Sequence, residues 1–169
     1  MFSSKDETWA TPIDFFNKLN SEFRFTLDPC CYPESAKCSK YYTPETNGLI
    51  QDWNREVVFM NPPYGPDILQ WMKKAYEESL KGVLVACLIP ARTDTKYFHE
   101  YVMKAAEIRF IKGRLKFGNS LNAAPFPSML VIFDIYANRD YPLIRTYTRD
   151  PISIIEFITS PYITPIEFI

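Results

Sequence analysis

The chain has 169 residues, 47% of them hydrophobic and 23% charged, and its 19 Lys and Arg nearly balance 20 Asp and Glu. This composition is typical of a folded domain and excludes intrinsic disorder, and no apolar run approaches the roughly 20 residues that cross a bilayer. We therefore expect a single domain over residues 1–169, located in the cytoplasm and away from membranes. The only histidine, His99, argues against multi-histidine metal sites and against Ser–His catalysis.

Helices and strands are predicted to alternate over the first two thirds of the chain. Thr11 and Pro12 are typical of a helix start, with the threonine hydroxyl as N-cap and proline in the first helical position. The alternating residues 23–27 then predict a strand that ends at Asp28. The later predicted elements are strands at 41–42, 57–60, 83–89, 108–112 and 129–136 and helices at 67–81 and 94–104. This order predicts an α/β sheet whose ligand lies at the carboxyl ends of the strands.

The four cysteines do not form a recognisable metal-binding pattern. Three lie close together and the fourth is distant, which fits no common zinc spacing: Cys30, Cys31, Cys38 and Cys87. We expect reduced thiols and no metal, with a metal site or a disulfide as the less favoured alternatives.

Positive charge is concentrated in one part of the chain. Residues 92–118 carry seven basic and three acidic side chains, although the net charge of the whole chain is −1. A solvated helix and loop surface explains such a cluster as well as a phosphate-binding surface does. Arg92 has a second interpretation, as a buried ion-pair partner of Asp94, and a capping or packing role is expected for His99.

The most informative motif is the turn that follows the predicted strand at 57–60. It consists of Asn61, Pro62, Pro63 and Tyr64. Two prolines fix their own φ angles and favour an extended Asn61, so the turn is preformed. The amide oxygen and a backbone carbonyl are suited to accept both hydrogens of an amine, while the aromatic ring stacks on the heterocycle that carries it. A plain Pro-Pro turn with a capping asparagine is the structural alternative.

Several further stretches of the chain accompany this turn: Asp6–Pro12 with Phe15–Phe16, Phe25–Cys30, Ala36–Cys38, Tyr41–Thr43, Asn47–Leu49, Gln51–Trp53, Asn61–Gly65, Ile89–Thr95 with Phe98–His99, Gly113–Gly118 and Ala124–Ser128. In these stretches and their order, the chain resembles the phage and prophage type of DNA adenine-N6 methyltransferase over residues of about 6–133.

The resemblance implies a Rossmann-like, S-adenosylmethionine-dependent methyltransferase sheet of reduced size. It implies direct methyl transfer to the N6 amine of a flipped-out adenine, held by Asn61 and the Pro62 carbonyl and stacked on Tyr64, with Pro63 completing the catalytic turn. The implied cofactor residues are Trp9, Thr11, Pro12, Asp28, Pro29, Cys30, Asp52, Trp53 and Asn61. No glycine-rich turn follows Asp28, in contrast to the wider superfamily.

DNA is the expected partner, in duplex form or, alternatively, as a single strand. Phosphate contacts are assigned to the basic side chains near the matching motifs: Arg92, Lys96, Arg109, Lys112, Arg114 and Lys116. Phe126 is interpreted as a core residue or as a wedge against DNA. Little of the chain remains for a separate recognition domain, so a short or relaxed target sequence is expected.

The sequence also fits two other interpretations. One is a related enzyme that methylates another planar amine, in RNA adenine, cytosine N4 or protein glutamine. Another is a catalytically silent DNA-binding protein with the same fold. Residues 134–169, with a near-repeat at 155–158 and 166–169, are assigned to extra strands, a lid or a dimer contact, and the protein is expected to be a monomer or a homodimer.

Overall fold

The computed structural model describes residues 10–118, 122–137 and 140–148, and their strands form one mixed sheet. The strands are β1 (Leu27–Asp28), β2 (Lys40–Tyr41), β3 (Val57–Met60), β4 (Leu84–Pro90), β5 (Glu107–Ile111), β6 (Ser128–Phe133) and β7 (Leu143–Tyr147). Their spatial order is β2-β1-β3-β4-β6-β5-β7. All neighbouring pairs are parallel except β6, which is antiparallel to both β4 and β5. The predicted Rossmann-like α/β sheet is confirmed.

Helices lie on both faces of this sheet. They are α1 (Ile13–Phe23), α2 (Ile68–Ser79) and α3 (Lys96–Glu100), with 3-10 turns at Val102–Lys104 and Ile135–Ala137. The helix predicted at 94–104 is split, because Tyr101 leaves the helical region with φ −126° and ψ −49°. Among the helices of the described residues, none has both the length and the apolar character that a bilayer span requires.

Each face of the sheet buries its own set of large side chains. Helix α1 packs Phe16 and Leu19 against Phe59 and its neighbours on one face. Helix α2 packs Trp71 and Met72 on the other face. Full burial of one such side chain contributes about 1.5–3 kcal/mol, so these contacts fix both helices on the sheet.

The ends of helix α1 differ from the prediction. Pro12, not Thr11, occupies the N-cap position, and no side chain caps the helix there. The strand predicted at residues 23–27 ends at Asp28 as expected but begins only at Leu27, because the helix includes Phe23 and ends at Arg24, which adopts a left-handed conformation with φ 58°. The Arg24 N–H donates to Asn20 O, which closes the last turn before β1 begins at Leu27.

The topology brings the ends of several strands to one edge of the sheet. Strands β2 and β3 lie on opposite sides of β1, so the carboxyl ends of β1 and β3 meet at the switch point where open α/β sheets bind ligands. Asp28 ends β1, and Asn61 directly follows β3. Strand β5 runs parallel to β4, since both are antiparallel to β6, and the loop after β5 therefore meets the same edge.

The chain after residue 133 adds an edge strand. Strand β7 pairs in parallel with β5. The Lys18 ammonium donates to the carbonyl of Thr148 over 2.5 Å and ties this segment to α1. The predicted lid or dimer contact at residues 151–169 lies outside the described residues, as does Trp9.

Candidate active site

The turn after β3 is held by two side-chain hydrogen bonds to the amide of Asn61. Asn61 Nδ2 donates to Thr11 Oγ1 over 3.1 Å. The Tyr64 hydroxyl donates to Asn61 Oδ1 over 2.8 Å. The two ends of the amide are therefore bound by residues from two separate segments of the chain.

Asp28 lies at the end of the neighbouring strand β1, with only 4% of its surface exposed. Its two carboxylate oxygens accept backbone hydrogen bonds, from the Cys30 N–H over 3.4 Å and from the Lys37 N–H over 3.1 Å. Burial raises the pKa of this carboxyl from 3.8 to about 6, and the backbone hydrogen bonds act in the opposite direction. Near neutral pH the site therefore carries a negative charge that little water screens.

Cys30 connects Asp28 with the Asn61 turn. Burial, and then the charge of Asp28, raise the pKa of its thiol well above the usual range, while a hydrogen bond with the Asn61 backbone lowers it. The thiol therefore stays protonated and is no nucleophile. Together with Cys31, Cys38 and Cys87 it is free of disulfides, and no group of three metal-ligating side chains occurs in the described parts of the chain.

Gly48 supports the loop beneath Asp28, a role that sequence reasoning did not assign. A Cβ atom at this position would lie 2.0 Å from the carbonyl oxygen of the buried Pro29. The Gly48 carbonyl also accepts a hydrogen bond from the Trp53 indole over 3.0 Å. The motif 47–49 was the available signal, but a single sequence does not show that a glycine there touches Pro29.

A cavity of about 560 Å³ opens on the other side of Tyr64, toward β4 and the start of α2. Its volume lies within the range of about 300–1,000 Å³ that is usual for small-ligand sites. Its walls include Ile68, Pro90 and Tyr97, and Tyr64 and Phe126 contribute aromatic rings. An apolar, partly aromatic cavity of this size suits a heterocyclic ring.

Aromatic packing fixes the ring of Tyr64 at the cavity wall. Phe126 meets it edge to face, with ring centroids 5.4 Å apart, and Phe117 does so at 6.2 Å. Burial raises the pKa of the Tyr64 phenol well above its ordinary value, so the hydroxyl keeps its hydrogen. Phe126 is half-buried and packs against the core, as one of its two interpretations expected, and it also lines the cavity.

Most of the predicted phosphate-binding residues lie at the carboxyl edge with exposed side chains. Arg92 and Lys96 line the mouth of the cavity, and neither is buried. Lys112, Arg114 and Lys116 are exposed along the loop after β5, where Arg114 Nη1 also donates to the Ala124 carbonyl over 3.3 Å. A buried Arg92–Asp94 ion pair is therefore absent from this part of the structure, and the two side chains are both exposed.

Arg109 was assigned wrongly to phosphate contact. Its side chain is largely buried, and both terminal nitrogens bind the Glu22 carboxylate, over 2.7 and 2.6 Å. Its Nε donates to Glu107 over 2.8 Å. Since its donors are used within the fold, Arg109 ties α1 to β5 and is removed from the DNA-contact set.

Asp52 and Trp53 differ in their surroundings, and the Trp53 indole donates to the Gly48 carbonyl, next to Pro29. Trp53 has no exposed surface and stacks on Trp71 within the core, with ring centroids 6.5 Å apart. Asp52 is exposed, accepts the Asn54 N–H over 3.0 Å, and acts electrostatically on Lys81 beyond the end of α2.

Comparison with known proteins gives the same assignment as the motifs. A family model described as DNA N-6-adenine-methyltransferase (Dam) matches residues 2–159. The DNA N-6-adenine-methyltransferase of Haemophilus phage HP1 is 31% identical over 139 residues, covering 78% of this chain and 80% of that protein. The protein of that name in Escherichia phage T1 is 35% identical over 112 residues, covering 64% of this chain and 46% of the phage protein. The resemblance is confirmed: this chain belongs to the DNA N-6-adenine-methyltransferase (Dam) family.

Proposed function

We propose that the protein transfers a methyl group from S-adenosylmethionine to the N6 amine of adenine in DNA. The position of Asn61 carries this proposal. Strand β3 lies between β1 and β4 in the sheet, so Asn61 stands between the buried Asp28 carboxylate on one side and the apolar cavity on the other. The names of the family and of the phage relatives support adenine in DNA as the methyl acceptor.

The residues at the end of β1 suit the chemistry of S-adenosylmethionine. Its ammonium and sulfonium groups are cationic, and the Asp28 carboxylate is buried, held in place and charged near neutral pH. Asp28 would hold the ammonium, with Pro29, Cys30 and Pro12 around it. When bound, the cofactor supplies an electrophilic methyl group. The predicted roles of Trp9, Asp52 and Trp53 stay predictions.

The catalytic turn acts by positioning the amine. Asn61 Oδ1 and the Pro62 carbonyl accept the two N6 hydrogens, which directs the nitrogen lone pair away from the ring system. A carbonyl oxygen accepts two hydrogen bonds, so Asn61 Oδ1 can keep the bond from Tyr64 and also take one from the amine. Pro63 keeps the turn rigid, and the Tyr64 ring offers a face for stacking.

DNA must present the adenine outside the stacked duplex. Flipping costs a few kcal/mol, which phosphate contacts offset. The exposed cations at the carboxyl edge are proposed for those contacts: Arg92, Lys96, Lys112, Arg114 and Lys116. Duplex DNA is the proposed substrate, with a short or relaxed target sequence.

Transfer of a tritiated methyl group tests the proposal. The purified protein, given labelled cofactor and duplex DNA, should produce label only in N6-methyladenine after enzymatic digestion. Label in cytosine, RNA or protein, or no label although the cofactor binds, contradicts the proposal. The same assay on single-stranded DNA settles strand preference, and sequencing of modified plasmid maps the target.

Asn61→Ala tests the role of the amide. The variant should lose transfer and keep its affinity for the cofactor, because the amide acts on the amine rather than on the methyl donor. Asn17→Ala, an exposed position on α1, is the matched control and should keep both properties. Joint loss of transfer and cofactor affinity in Asn61→Ala would assign the residue to cofactor binding instead.

Lys112→Ala tests the proposed DNA surface. If this side chain contacts a phosphate, the slope of log binding constant against log salt should fall by about one. Lys73→Ala, which removes the same charge from an exposed position on α2, should leave the slope unchanged. An unchanged slope in Lys112→Ala removes this lysine from the DNA surface.

A further inference from the structure

We propose that Thr11 is a positioning residue that, with the Tyr64 hydroxyl, holds the side-chain amide of Asn61 in the plane and direction needed to accept the substrate amine. This inference rests on the proposed function and assigns Thr11 a role on the catalytic turn, in place of the cofactor contact that the resemblance implied. It is drawn from the two hydrogen bonds at opposite ends of the amide, 3.1 Å to Thr11 Oγ1 and 2.8 Å from Tyr64.

An asparagine amide needs outside contacts to fix its plane. The last torsion of the side chain is broad and roughly two-fold, so the residue itself does not determine where the oxygen points. Hydrogen bonds at both the nitrogen and the oxygen remove this freedom. Tyr64 is suited to the oxygen end, since a phenol that keeps its hydrogen is a better donor than acceptor.

Thr11 is available for this role because it does not cap helix α1. Pro12 takes the N-cap position, and the Phe16 N–H donates to the Pro12 carbonyl over 3.0 Å. Thr11 is only 4% exposed, so its hydroxyl lies inside the protein against Asn61. The segment is anchored from the other side, where the Gly118 N–H donates to the Ala10 carbonyl over 2.7 Å.

The arrangement has a catalytic consequence. If the Asn61 oxygen moves by about 1 Å, the amine loses its alignment, and misplacement of that size reduces rates by up to about 100-fold. Loss of the hydrogen bond to Thr11 alone is expected to cost less, about tenfold. The loss should fall on kcat, because the amide aligns the reacting nitrogen and contributes little to the binding of cofactor or DNA.

Two substitutions at Thr11 separate positioning from packing. Thr11→Val keeps the shape and removes the hydroxyl, and kcat should fall about tenfold while the KM for DNA and the Kd for cofactor change less than about threefold. Thr11→Ser keeps the hydroxyl and should retain kcat within about twofold. Equal loss of kcat in both variants, or an unchanged kcat in Thr11→Val, overturns the inference. A large rise in the cofactor Kd in Thr11→Val assigns Thr11 to the cofactor instead and also overturns it.

A measurement without catalysis keeps this test separate from the proposed function. The side-chain NH2 resonances of Asn61, assigned by their absence in Asn61→Ala, should exchange with solvent more slowly in the wild type and Thr11→Ser than in Thr11→Val. If the wild type methylates no adenine but shows this difference, the proposed function fails and the hydrogen bond stands. Equal exchange in all three proteins refutes the restraint even if the enzyme is active.

Discussion

The Asp28 carboxylate should make the protein less stable at neutral pH than an uncharged side chain would. Its pKa is about 6 in the folded protein against 3.8 for a free side chain, because burial disfavours the charge. The folded state therefore keeps a proton that the unfolded state releases between these two values. The contribution of this carboxyl to the free energy of unfolding is fully present below about pH 4 and is lost as the pH rises through 6. A pKa difference of about two units between the folded and unfolded states corresponds to a loss of about 3 kcal/mol in the free energy of unfolding.

The perturbation is Asp28→Asn, which removes the charge and keeps the shape. The amide has one acceptor oxygen, so it loses one of the backbone hydrogen bonds from Cys30 and Lys37, at a cost of about 1 kcal/mol. At pH 8 the variant should therefore be more stable than the wild type by about 2 kcal/mol. At pH 4, where the wild-type carboxyl is protonated, it should be less stable by about 1 kcal/mol.

Urea unfolding from pH 4 to pH 8, without cofactor, measures this difference. Asp140→Asn, an exposed site, is the control, and its difference from the wild type should not change sign with pH. A constant stability difference for Asp28→Asn over this range would refute the reasoning on burial. At pH 8 the variant should also bind S-adenosylmethionine more weakly, which calorimetry measures. Greater stability with unchanged affinity would show that Asp28 does not hold the cofactor.

Three further substitutions test the surroundings of the site. Gly48→Ala places a Cβ 2.0 Å from the Pro29 carbonyl and should lower the free energy of unfolding by about 1–3 kcal/mol, as overpacking does; an unchanged Tm contradicts this. Phe126→Leu removes the edge-to-face contact with Tyr64 and should raise the KM for DNA severalfold without changing the cofactor Kd; a change confined to the cofactor Kd contradicts this. Arg109→Met should lower stability by about 1–3 kcal/mol and leave the salt dependence of DNA binding unchanged; a smaller salt slope would return it to the DNA surface.

Local sequence patterns predicted the elements that depend on local chemistry. The run of apolar residues at 57–60 and the following prolines correctly placed β3 and the turn, because a buried strand must be apolar and two prolines must end it. The end of α1 was harder to predict from the sequence. The alternation at 23–27 resembles a strand, but Phe23 remains in α1 because its ring stacks on Phe25, with centroids 5.4 Å apart, after the chain reverses at Arg24.

Long-range partners decided what local patterns left open. Arg109 belongs to a basic stretch in sequence, but its carboxylate partner Glu22 is 87 positions away and only the fold brings the two together. Thr11 has the sequence of a helix cap, yet its hydroxyl binds Asn61, 50 positions further along. Arginine and threonine each have several structural roles, and in both cases the neighbours in the chain indicated a role that the residue does not have in the fold.

The loop after β1 gives the proposed cofactor site a fixed carboxylate without a glycine-rich turn. In glycine-rich dinucleotide sites, backbone N–H groups point outward at a phosphate. Here the N–H groups of Cys30 and Lys37 point inward and bind Asp28. They hold the protein's own carboxylate in position instead of a ligand's phosphate, and the negative charge of Asp28 favours a positively charged group beside it. Such a loop needs no close backbone approach to the ligand, so the rigid Pro29 can stand where the glycine-rich turn would begin.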